Sequence, residues 1–262
     1  MTCFSDCTPA QQALTQTLIQ GGGGAPLRSA FDVRNFSVNA ARVDGGYPDG
    51  SVVLRTGARI NAAGAFFGGG TGNKAIMGIF GLSGRPLSYL KTLSFEWLNV
   101  QGPGGPYYNP PDVGGTVVPY VNLLVDFGAG PGGGLRILVL LDGGAGTVGT
   151  YTNPLGANKL LYAWDSTQNV RIVNSPNPTA APGGVTPAFS AGPNWQANAY
   201  SFAALVAANP GAVFLDAFPS DGGMPAGAIM PALLLLSGDS GNLTKSGKQI
   251  VSLSLNGGNL LK

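Results

Sequence analysis

Two runs joined by a glycine-rich turn decide the fold. The first is Val121-Asn122-Leu123-Leu124-Val125-Asp126-Phe127; after residues 128–134 comes Leu135-Arg136-Ile137-Leu138-Val139-Leu140-Leu141. In the first run Val121, Leu123, Val125 and Phe127 alternate with Asn122 and Asp126, the period of a half-buried strand. The second run is apolar on both faces, as expected of a central strand inside a sandwich. Leu93, Phe95 and Trp97 repeat the alternation against Ser94 and Glu96. Further strands are expected over 31–43, 51–60, 75–82, 160–164, 170–173, 212–218, 226–236 and 249–255. Pro231 has no N–H to donate, so it demotes the middle of its run to an edge or a bulge. Turns rich in Gly, Pro and Asn separate these runs at 44–50, 102–115, 128–134 and 174–184.

Only two segments read as helix. Ser201 can cap Phe202-Ala203-Ala204-Leu205-Val206-Ala207-Ala208, and Asn209-Pro210-Gly211 ends it. Near the N-terminus, Thr8 and Pro9 form a helix start, and Ala10, Ala13, Leu14, Thr17 and Leu18 fall on one face. Gly21-Gly22-Gly23-Gly24 then makes a flexible tether. A helix this short is marginal alone, because isolated helices under about 12–15 residues are barely stable in water. The arm, with Leu14, Leu18 and Ile19 as its anchors, must therefore dock, either on its own domain or on a neighbouring subunit. Many short strands and one or two short helices give an all-β chain, a single jelly-roll-type β-sandwich. Residues 1–24 are the arm and Gly linker, and residues 25–262 the sandwich domain.

Composition narrows function more than it identifies it. Of 262 residues, 43 are Gly and 20 Pro, and most of them punctuate strands. Charged residues are 10%, the net charge is +2, and there is no His. The missing His removes the commonest general base and the commonest transition-metal ligand. A small net charge with no basic run argues against nucleic acid as partner. The longest apolar run, 228–236, is interrupted by Pro231 and is too short to span a membrane. Residues 1–7 show neither a basic segment nor an apolar core, so no secretory leader is visible there. Cys3 and Cys7 are the only cysteines; plain thiols, a local disulfide and a cross-link to another chain all fit.

A resemblance becomes visible in LSFEW at 93–97 followed by PYVNLLVD at 119–126. Trp195, then YSFAAL at 200–205, NPGA at 209–212 and PAG at 225–227 extend it. This pattern resembles jelly-roll β-sandwich domains of bacterial secreted and surface proteins, some of them compared with carbohydrate-binding modules. The resemblance implies an extracellular or cell-surface setting and carries no catalytic residues.

The motifs that suggest chemistry fail on their own requirements. Gly238-Asp239-Ser240-Gly241 mimics a serine-protease nucleophile, but the chain has no His to take the Ser proton. A Ser–Lys dyad with Lys245 or Lys248 is the formal remainder. Two GxGxxG matches, at Gly128/Gly130/Gly133 and Gly144/Gly146/Gly149, run into strand-like sequence and not into a helix. Glu96 is the only Glu, which leaves a two-carboxylate hydrolase poorly equipped. Asp44 and Asp49, or Asp216 and Asp221, could hold a loop-stabilising Ca²⁺, the one cofactor the sequence suggests. Tyr107, Tyr108, Asn109 and Asp112 sit on a Pro-stiffened loop where tyrosine faces could stack on sugars. The same tyrosines could instead cover the end of the sandwich. The expectation is a non-enzymatic structural subunit that self-associates into a filament, coat or layer, the arm docking on a neighbour. Polysaccharide bound by the tyrosine loop, lectin-like, is the alternative.

Overall fold

A computed structural model of the chain describes residues 33–35, 42–44, 51–56, 75–99, 119–130, 132–140, 150–152, 159–173, 181–190, 198–217, 229–237 and 246–261. The expected strands form, and all pair antiparallel in two sheets. The larger sheet contains β1 (Val33–Asn35), β4 (Ala75–Ile79), β6 (Tyr120–Asp126), β7 (Leu135–Leu140) and β10 (Asn169–Val173). It is completed by β11 (Phe189–Ser190), β12 (Asn198–Ser201), β13 (Val213–Phe214) and β14 (Leu233–Ser237). Its order is β1-β4-β14-β6-β7-β10-β12-β11, with β13 beside β6. The smaller sheet contains β2 (Arg42–Asp44), β3 (Val52–Thr56), β5 (Thr92–Asn99), β8 (Thr150–Thr152), β9 (Lys159–Asp165), β15 (Ser246–Leu255) and β16 (Gly258–Asn259). Its order is β2-β3-β15-β5-β9-β8, with β16 beside β15.

Alternation explains how the sheets meet. In β5, Leu93, Phe95 and Trp97 point inward at 1% exposure or less, while Ser94, Glu96 and Leu98 stay partly exposed. Opposite them, Met77, Leu123, Leu138 and Leu235 of the larger sheet join the same buried cluster. Phe95 stacks on Tyr162 of β9 at 4.9 Å, which fixes the middle of the smaller sheet against this core. The two sheets therefore share one interior, as layered β folds require.

The β6–β7 hairpin takes the form its sequence suggests. Asp126 Oδ1 accepts from the Gly128 N–H at 2.9 Å, and Gly134 N–H donates to Gly128 O at 2.7 Å. Gly128, Gly132 and Gly134 all have positive φ, so these glycines build a turn and not a phosphate loop. The helix α1 (Phe202–Ala208) is capped by Ser201 as expected, and Asn209 ends it.

Two expectations change. The run over 31–43 splits into β1 and β2, which lie at edges of different sheets. Strand β14 is not at an edge: it sits between β4 and β6, and Pro231 escapes the ladder by lying two residues before it. β8 takes up the strand-like sequence that follows Gly149, while β11, β12 and β16 lie outside the expected runs.

The middle strands of the larger sheet, β4, β14, β6 and β7, are buried on both faces. Because strands alternate, Leu123, Leu138 and Leu235 face inward while Leu124, Ile137, Val139, Leu234 and Leu236 face out. With Ile76 and Met230 these outward residues form a second cluster, each 5% exposed or less. Double-sided burial is what the continuous LRILVL and LLLL runs encode.

Candidate functional site

Most residues singled out from sequence lie outside the described residues: Tyr107, Tyr108, Asn109, Asp112, Leu14, Leu18, Ile19, Cys3, Cys7, Asp49, Asp221 and Ser240. Asp44 ends β2, its backbone in register with Val53 of β3. Lys248, one of the two alternative lysines for a Ser240 dyad, is 1% exposed within β15, in register with Leu54 and Asn99. Among the described residues no three His, Cys, Asp or Glu side chains gather as a metal site. None of their helices is long and apolar enough to cross a membrane.

The most perturbed acid among the described residues is Asp216, which follows β13. Its Oδ1 accepts from the Ala232 N–H at 2.7 Å, and its own N–H donates to Ser83 Oγ at 3.1 Å. Around it the backbone is closely stitched. Leu215 N–H donates to Leu124 O at 3.1 Å, Gly84 N–H to Phe214 O at 2.8 Å, and Ala217 and Met230 exchange two bonds. Desolvation pushes the Asp216 carboxyl up to about 6, against the pull of the Ala232 N–H. A carboxyl titrating near neutrality suits general acid–base work. Here, though, its oxygen fills a structural need. β13 and β14 lie end to end along β6, and the carboxylate takes the amide that opens the second of them. That role differs from the Ca²⁺ ligand expected of Asp216 with Asp221. Arg85, nearby in sequence to Ser83, lies over the Tyr89 ring at 4.6 Å from its centre.

The broader feature is the outer face of the smaller sheet. Register places Ser252, Glu96 and Leu161 in one transverse row and Ser254, Ser94 and Ala163 in the next, across β15, β5 and β9. All six are partly or fully exposed, and Glu96 alone is charged. Besides Glu96 the six are Ser, Ala or Leu, without charge or long polar chains, so these two rows carry little charge. Sequence reasoning identified the alternation of β5, but not that its outward set would meet equally small, uncharged neighbours. That depends on register, which brings together strands far apart in the chain. Compared with known proteins, the chain matches no family model, no curated protein and no solved structure.

Proposed function

We propose that the chain is a non-enzymatic structural subunit, a jelly-roll-type β-sandwich that self-associates into a filament, coat or layer at a cell surface or outside the cell. The observation that carries this reading is the outer face of the smaller sheet, where two rows of three residues hold a single charge. Soluble domains keep roughly 25–35% of their surface charged. A chain with 10% charged residues has little charge to spend on keeping such faces apart. The repeated passage between sheets, β3 to β4, β5 to β6, β7 to β8 and β9 to β10, supports the jelly-roll reading. The strands at the ends of both sheet orders are three residues or fewer, a poor template for edge pairing, which favours face-to-face contact.

The test is light scattering on the full chain over a wide concentration range. The wild type is expected at a multiple of 26.5 kDa, and Ser94→Lys/Ser254→Lys at 26.5 kDa. A wild type that stays monomeric at the highest concentration, or a variant that assembles as the wild type does, overturns the proposal.

A further inference from the structure

Asn256-Gly257 is the only Asn-Gly pair in the chain. It turns the chain between β15 and β16, and both residues are exposed, with φ at +51° and +81°. A Cβ placed on Gly257 would meet nothing within 4 Å, so no neighbouring group crowds the turn on that side. A carboxamide followed by Gly is open to attack from the next residue's own nitrogen, because Gly has no Cβ to hinder the approach.

The chemistry needs no partner but water. The Gly257 nitrogen bonds to the Asn256 Cγ and gives up its proton. The Cγ–Nδ2 bond breaks, and Nδ2 leaves as ammonia with that proton. Water then opens the five-membered imide. Cleavage of the new bond leaves aspartate at position 256, and cleavage of the old peptide bond leaves isoaspartate.

The fold holds this reaction back. Cγ can reach the Gly257 nitrogen only when both of its polar atoms are free to swing, and both are engaged elsewhere. Oδ1 accepts from the Lys91 and Thr92 N–H groups at 2.8 and 3.1 Å, and Nδ2 donates to Tyr89 O at 2.7 Å. The Asn256 N–H donates to Thr92 O at 2.9 Å, so the backbone is tied to the start of β5 as well. Tyr89 ends the short 3₁₀ turn Leu87–Tyr89, which leads into β5. Four hydrogen bonds thus clip the hairpin to a segment 164 to 167 residues earlier in the chain.

We propose that Asn256 is a deamidation site gated by this clip, shut while its carboxamide sits on residues 89–92 and reactive when the hairpin lifts away. The conversion runs one way. The oxygen that replaces Nδ2 faces Tyr89 O, so two acceptors meet where a donor and an acceptor did. Isoaspartate also adds a carbon to the main chain inside a two-residue turn, whose length fixes the β15–β16 register.

The full chain is incubated in mildly alkaline buffer at a concentration where light scattering reports monomer, so the outcome is independent of self-association. Peptide mass spectrometry that separates aspartate from isoaspartate follows position 256. In urea above the unfolding transition, conversion is expected at least about tenfold faster than in native buffer, since each bond that must open slows it several-fold. Lys91→Pro removes one donor to Oδ1, and Leu90 already holds ψ at 115°, which suits a following proline. This variant should speed conversion in native buffer about three- to tenfold. Gly183→Ala, which weakens the end of α1 instead, should leave the rate unchanged. Equal rates in native buffer and urea, no conversion in urea, an unchanged rate in Lys91→Pro, or equal acceleration in both variants overturns the inference. Urea below the transition supplies a measure on the wild type alone. The rate should rise only weakly there, because local opening exposes little surface; a rise as steep as that of global unfolding overturns the clip as the gate.

Discussion

Asp216 shows how one buried group sets a pH dependence. Its folded carboxyl titrates at about 6 against 3.8 unfolded, so the native state holds its proton more tightly. Below pH 4 both states are protonated and the group contributes no difference. As pH rises from 4 to 6 the unfolded chain ionises while the native carboxyl keeps its proton, and stability falls; above 6 the native carboxyl ionises too and the loss is complete. The shift corresponds to about 2–3 kcal/mol. Asp216→Asn keeps a carbonyl oxygen for the Ala232 N–H and removes the charge. Urea unfolding of the Asn variant is expected to show a gain of about 1–3 kcal/mol at pH 8, shrinking to nothing below pH 4; equal midpoints at both pH values would sink this assignment. Asn256 makes the opposite case, an exposed residue with a heavy structural duty. It holds φ at +51°, its Oδ1 accepts from the Lys91 and Thr92 N–H groups at 2.8 and 3.1 Å, and its Nδ2 donates to Tyr89 O at 2.7 Å. Asn256→Gly relieves the left-handed backbone but loses all three bonds. A net destabilisation of about 1–2 kcal/mol is expected by thermal or urea unfolding, and a stabilised variant would show that the bonds contribute nothing.

At the scale of elements, the seven-residue helix α1 is too short to persist alone and is held at both ends and beneath. Ser201 Oγ accepts from the Ala204 N–H at 3.3 Å, Asn209 N–H donates back to Leu205 O, and Phe202 meets Trp164 edge-on at 4.9 Å. Ser201→Ala is expected to cost about 0.5–2 kcal/mol, with hydrogen exchange accelerated over 202–205 and not in β5. Gly183 closes the other side. Its φ is +69°, and a Cβ there would stand 2.8 Å from the Ala208 Cβ and 2.9 Å from Asn209 Nδ2. Gly183→Ala should therefore destabilise by about 1–3 kcal/mol, read as a lower melting temperature; an unchanged one would mean that the helix end moves freely. This helix was legible in the sequence because its signals are local: a capping Ser, an Ala/Leu run and Asn-Pro-Gly. The β6–β7 hairpin was legible for the same reason. β12 was not, since Asn198-Ala199-Tyr200-Ser201 shows no apolar alternation and takes its place through pairing with β10 and β11. The Asn256-Gly257 pair between β15 and β16 is a local hairpin signal of the same kind. Asp216 had no local signal at all: its environment is made by Ser83 and Ala232, 133 residues before it and 16 after it.

For the whole molecule, the decisive fact is that one inner cluster draws on both sheets, while the second cluster, among the described residues, gathers on the larger sheet. Neither sheet can leave without exposing the other's apolar face. Trp97 and Trp164, both at 2% exposure or less, lie in the smaller sheet at β5 and β9. Leu235 and Met77 face them from the larger sheet, paired with each other in register across β14 and β4. This predicts a single cooperative transition. In a Trp195→Phe background tryptophan fluorescence follows the smaller sheet, and hydrogen exchange over 75–79 and 233–237 follows the larger, so both should report the same urea midpoint. Leu235→Ala, a cavity on the larger sheet's side, should cost about 2–5 kcal/mol and move both midpoints together. A variant in which exchange in β4 and β14 shifts while the fluorescence midpoint stays fixed would show two separate folding units. The shared core could then no longer be the reason the sheets stay together, and the outer cluster on the larger sheet would have to stabilise that sheet by itself.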